Sequence, residues 1–214
     1  MELNLIQKIA IYALPVIFAI TLHEAAHGYV ARYFGDSTAY LLGRVSVNPL
    51  RHIDPIGTIL VPLISLTLGG ILFGWAKPVP VNFNQLRDPK KDMFWVAAAG
   101  PAANFVMILF WALLTKFATL MPEGGLAMPL ELMGIAGMQI NAVIMVLNLL
   151  PLPPLDGGRI ALSLLPRHLS YQYAKIEPYG MMILVLMLFA GMLNRVVGPF
   201  TDGTVNAVGR FFGI

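Results

Sequence analysis

The sequence predicts an all-α integral membrane protein: a bundle of about four to six transmembrane or re-entrant helices carrying a small membrane-associated β element. Three observations predict it. Of the 214 residues, 57% are hydrophobic and only 12% are charged, about half the charged fraction of a soluble domain. Several apolar runs approach the ~20 residues that a spanning helix needs. The Lys and Arg sit in short loops between those runs, where the positive-inside rule places them. The net charge of +3 therefore points to a bilayer and not to nucleic acid. The length suits one membrane-embedded domain over residues 1–214.

The elements follow in order. Residues 9–34 read as a helix, with Pro15 a kink position. Its first part, Ile9 to Leu22, has the look of a signal-peptide core. That reading fails because polar residues follow directly within the same helix. Residues 37–52 alternate at Val45, Ser46, Val47 and Asn48, which predicts short strands. Residues 56–74 are apolar but interrupted by Gly57, Pro62, Gly69 and Gly70. Alternation returns at Val79, Val81 and Phe83, and Pro78 and Pro80 confine such a strand to an edge.

After a polar loop, residues 93–119 form a second long helix. It opens with "AAAGPAANF", small residues that let helix backbones approach closely. Residues 130–150 form a third, entering "NLLPLPPLDGGRI" at 148–160, and residues 179–197 a fourth. In the tail, 199–214, Val205, Val208, Phe211 and Phe212 fall on roughly one face, as in an interfacial segment. There is no internal repeat and no low-complexity segment.

The first apolar run contains "TLHEAAHGYVARYF", residues 21–34. Ionisable groups inside such a run mark function by default. On a helix, positions i and i+4 share a face, so His23 and His27 can point two imidazoles at one ion. Glu24 can reach a water on that ion. This is the H-E-x-x-H arrangement of zinc hydrolases, with two ligands and a general base. The rival reading makes the histidines helix-packing groups satisfied by hydrogen bonds. The chain has no Cys, so any metal must be held by His, Asp or Glu. A catalytic zinc takes a third protein ligand and keeps one open position. His52, His168 and several carboxylates are candidates, and Asp156 in "PLPPLDGG" is the best placed. Its alternative role is the N-cap of a helix over 157–165.

Three stretches, "HEAAH" at 23–27, "AGPAANF" at 99–105 and "NLLPLPPLDGG" at 148–158, resemble the site-2 protease family of intramembrane zinc metalloproteases in content, order and separation. The last carries the family's N-x-x-P-x-P-x-L-D-G pattern at Asn148, Pro151, Pro153, Leu155, Asp156 and Gly157. The resemblance implies one Zn2+ held by His23, His27 and Asp156, with Glu24 as catalytic base. It also implies a role for Asn148 near the reacting carbonyl. A neutral amide donor beside an oxyanion suits a low-dielectric site; the alternative for Asn148 is an interhelical hydrogen bond. Asn104 reads as structural. The chain looks like a compact member without an inserted peptide-binding domain. "GRVSVNPLRHIDPIGT" (43–58) and "FGWAKPVPVNF" (73–83) look like one bacterial and archaeal branch, and His52 and Asp54 there read as loop residues that order a turn.

A joint metal site constrains the path. His23, His27 and Asp156 meet only if residues 35–92 return to the side they left. Lys and Arg then divide 10 to 4 between the two sides, the four being Lys8, Lys116, Arg195 and Arg210. A full crossing by 56–74 divides them only 8 to 6. The sharper bias puts the site nearer the cytoplasmic face of the cell membrane. The expected partners are the bilayer and a helix of a membrane-protein substrate, which unwinds locally and adds to the edge at 43–48 or 79–83. The alternative function is a metal-binding transporter or sensor without hydrolysis.

Overall fold

The computed structural model describes residues 4–52, 54, 77–122 and 125–214. Helix α1, Leu5–Tyr33, starts at a reciprocal cap in which Asn4 and Gln7 each bond the other's backbone N–H. It runs through Pro15 without ending. A short helix α2, Thr38–Leu41, and a 3₁₀ turn at Pro49–Arg51 follow. A second 3₁₀ turn, Phe83–Gln85, leads into α3, Pro89–Thr119. Asp88 caps α3 with its side chain, and Pro89 takes the first helical position, where a missing N–H costs nothing. Then come α4 (Ala127–Asn148), α5 (Asp156–Leu164), α6 (Arg167–Ala174), α7 (Glu177–Phe189) and α8 (Met192–Phe212).

Among the described residues α1, α3 and α4 are long and apolar enough to cross a bilayer, and α7 with α8 make a fourth such run, bent by 85°. The protein is a multi-pass membrane protein. The three long helices pack against one another, α5 lies on α3, and α8 lies on α4 and α3. At the α3–α4 contact, Trp111 and Thr115 occupy the space a Cβ would take at Gly137 and Gly134. Small residues thus let these backbones close, as they do in lipid generally. Ile108, Trp111, Ala112, Met138, Ala142 and Val208 form the core there. Val205 and Phe212, from the C-terminal half of α8, pack against it.

Two sequence expectations are corrected. The run 179–197 is not one helix: it breaks after Phe189, and Gly191 takes φ +66°. The β element is absent among the described residues, because the alternating stretches at 45–48 and 79–83 form no strand. Some of their donors are engaged elsewhere. Val79 N–H donates to Glu24 Oε2 at 2.7 Å, and Asn82 N–H to Asp36 Oδ2 at 2.6 Å. Asn48 N–H goes to Ser46 Oγ, and Pro78 and Pro80 have none. With Val79 N–H engaged by Glu24, that donor is not offered to a substrate strand.

Residues 56–74 lie outside the described residues. The ends that flank them do not: Lys77 N–H donates to the His52 carbonyl at 2.9 Å. The chain is therefore picked up where it was left. Arg87 N–H likewise donates to the Phe34 carbonyl at 3.0 Å, tying the end of α1 to the start of α3. One end of the bundle thus collects the C-terminus of α1, the N-terminus of α3, the C-terminus of α4 and the start of α5.

Candidate metal centre

The site is built where that end of the bundle meets α5. His23 and His27 lie one turn apart on α1 and face α3. His23 is buried, and the side chains of His27 and Asp156 are each only 12% exposed. The two Nε2 atoms are 3.1 Å apart. Asp156 Oδ2 lies 3.2 Å from the first and 3.3 Å from the second. No other group of three or more His, Cys, Asp or Glu among the described residues converges this way.

The arrangement fits a zinc ion. Tetrahedral ligands at 2.0–2.1 Å stand about 3.3 Å from one another, and the three donor atoms already have nearly that triangle. Asp156 Oδ2 is buried and accepts no hydrogen bond, so its lone pairs are free. Each imidazole turns its other nitrogen to an oxygen: His23 Nδ1 to Asn104 Oδ1 at 2.6 Å, His27 Nδ1 to the Val96 carbonyl at 2.7 Å. Both rings therefore carry the proton on Nδ1 in their neutral form and offer Nε2 as a bare lone pair. As a metal ligand the Asp156 carboxylate must be ionised.

Local sequence explains the approach of α5. Asp156 is its first residue, yet its side chain makes no capping bond; the N-cap alternative is not what the carboxylate does. Gly157 and Gly158 lie so close to the Leu149–Pro153 backbone that a Cβ at either would strike it. Gly100 on α3 lies against both imidazoles, and a Cβ there would collide with them.

Glu24 and Asn148 line the same cavity of about 550 Å³, together with Val79, Val81, Phe83 and Arg159. Glu24 accepts the Val79 N–H through one carboxylate oxygen. Asn148, the last residue of α4, donates its Nδ2 to the Ile144 carbonyl at 3.0 Å. That bond lies within its own helix, not between helices. His52 stands apart: it is buried, its Nε2 meets the Ser46 carbonyl at 2.8 Å, and it belongs to the turn. His168 is exposed on α6.

Sequence reasoning did not anticipate Val79, Val96 or Gly100. The first two act through backbone atoms, which carry no residue-type signal. Gly100 had one, the small-residue run at 97–105, but that pattern does not say what approaches.

Residues 119–191 match peptidase family M50. The chain is 35% identical over 202 residues to "Putative zinc metalloprotease YwhC" of Bacillus subtilis (strain 168), covering 93% of this chain and 89% of that one. It is 32% identical over 181 residues to "Putative zinc metalloprotease Rip2" of Mycolicibacterium smegmatis (strain ATCC 700084 / mc(2)155), covering 84% and 66%. The Rip2 protein of Mycobacterium tuberculosis (strain ATCC 25618 / H37Rv) is 28% identical over 183 residues, covering 83% and 66%. No solved structure matches. With a relative this similar over nearly its whole length and the family's pattern at residues 119–191, the chain belongs to peptidase family M50, the site-2 protease family.

Proposed function

We propose that this chain is an intramembrane zinc endopeptidase that hydrolyses peptide bonds in or near transmembrane helices of other membrane proteins. The observation that carries this reading is the near-equilateral triangle of His23 Nε2, His27 Nε2 and Asp156 Oδ2 with the Glu24 carboxylate in the same cavity. In this reading the whole chain, 1–214, acts as one membrane-embedded protease domain.

His23, His27 and Asp156 hold the ion, and zinc, when bound, supplies Lewis-acid activation of water. Glu24 takes the proton of the attacking water and delivers it to the leaving amine. Its carboxylate has one oxygen on Val79 N–H, which fixes its orientation and leaves the other for the proton. Asn148 donates the amide N–H that is not bonded to the Ile144 carbonyl to the oxygen of the reacting carbonyl. A helical substrate hides its carbonyls in i to i−4 bonds, so the segment must unwind before it enters the cavity. Val79, Val81 and Phe83 give that cavity an apolar wall. The end of the bundle that collects the site carries the Lys and Arg majority, which supports a cytoplasmic placement in the cell membrane.

The test is Glu24→Gln in the purified full chain. The variant should retain one zinc per chain, by metal analysis, and lose proteolysis by at least ~10²-fold. Retained cleavage would remove Glu24 from the mechanism. Wild-type protein that binds no zinc would overturn the proposal.

A further inference from the structure

The two ligand imidazoles are oriented by different means. His27 Nδ1 faces a backbone carbonyl, that of Val96. A carbonyl cannot donate, so nothing else is needed to fix the ring. His23 Nδ1 faces a side-chain amide, Asn104. An amide presents oxygen or NH₂ according to a half-turn about its last bond. If NH₂ faced the ring, His23 would keep its lone pair on Nδ1 and carry its proton on Nε2, where the ion must bind.

What prevents that half-turn is a chain of bonds with one direction. Asn104 and Asn141 are both fully buried, at 0% exposure. Asn141 Nδ2 donates to the Gly137 carbonyl at 2.8 Å, so its Oδ1 must point away from that carbonyl. Asn141 Oδ1 accepts from Asn104 Nδ2 at 2.9 Å, and the same Nδ2 donates to the Ala19 carbonyl at 3.2 Å. Asn104 Oδ1 is left facing His23. The direction is set by two backbone carbonyls, on α1 and α4, and is read out at the ring.

We propose that Asn104 is a positioning residue for the metal site, holding His23 as its Nδ1–H tautomer, and that Asn141 orients Asn104. Three helices contribute, α1, α3 and α4, so the relay also couples their packing to the ligand. This rests on the metal reading of His23. It goes beyond interhelical bonding because it requires a direction. An Asn that merely bridged helices would serve equally well either way round.

The experiment uses the full chain in detergent or nanodiscs, with zinc affinity measured by competition against a chromophoric chelator. Asn104→Leu keeps the volume and removes the acceptor. It should weaken zinc binding ~10–100-fold, the usual cost of losing a partner behind a ligand. Asn141→Leu should weaken it less, because the Ala19 carbonyl still favours the right orientation. Thr115→Val, equally buried on α3 and bonded only to the Trp111 carbonyl, should leave it unchanged. Wild-type affinity in a folded Asn104→Leu, or an equal loss in Thr115→Val, would overturn the assignment.

A second measurement needs no variant to fold. In the ¹⁵N spectrum of the zinc-loaded wild type, labelled at histidine, both rings should show protonated Nδ1 and metal-bound Nε2. A His23 ring bound through Nδ1 would overturn it. If the wild type binds no zinc, both this assignment and the metal reading fall; if it binds zinc and only Asn104→Leu is silent, the metal reading stands alone.

Discussion

Gly100 separates two explanations that predict opposite signs. As an ordinary residue inside a helix, glycine costs ~1 kcal/mol relative to alanine, so Gly100→Ala should stabilise the protein. Here both ligand imidazoles occupy the position of the added methyl group. Gly100→Ala should therefore displace His23 and His27 and weaken zinc binding by at least ~10-fold, with no gain in thermal stability. A more stable variant with wild-type zinc affinity would mean that the rings can retreat freely. At this scale the candidate ligands were legible and their supports were not. HEAAH declares itself because two imidazoles and a carboxylate are costly in an apolar run. Asp156 is marked by the prolines and glycines around it. The Val79 N–H on Glu24 and the Val96 carbonyl behind His27 join residues far apart in sequence through atoms that every residue has.

Single elements show where periodicity informs and where it misleads. The apolar runs place α3 and α4 within a few residues of their observed ends, because a spanning helix must be continuously apolar. The alternation at 45–48 and 79–83 reports which side chains are covered, not whether the backbone pairs. Pairing depends on free N–H groups, and Glu24 and Asp36 have taken those of Val79 and Asn82. The break between α7 and α8 was hidden because the sequence stays apolar across it and an isolated glycine is tolerated in a membrane helix. Only the left-handed φ of +66° at Gly191 reveals it. Gly191→Ala should then cost ~1–2 kcal/mol, seen as a lowered unfolding midpoint of the full chain. Gly191→Asn should cost less, since asparagine tolerates that region. Two neutral substitutions would show that the bend does not depend on this residue.

For the molecule as a whole, two backbone hydrogen bonds decide more than any helix. Lys77 N–H on the His52 carbonyl, and Arg87 N–H on the Phe34 carbonyl, bring the chain back to the end where α1 stops. The start of α3 and the tip of α4 then share that end with Asp156, and Tyr173 OH, bonded to the Pro151 carbonyl, keeps α6 there too. Thr119, at the far end of α3, belongs to the opposite side. In the proposed placement, the division of charge puts the first end on the cytoplasmic side. The natural sequence has no cysteine, so single reporters are clean. Lys91→Cys and Lys175→Cys should react with a membrane-impermeant maleimide only after cells are permeabilised, and Thr119→Cys should react in intact cells. All three sites are exposed, so silence would not come from burial. The inverse pattern would turn the protein over and put the cavity on the outer face. Labelling of all three from one side would mean that α3 does not cross, and the shared depth of His23, His27 and Asp156 would then need another path.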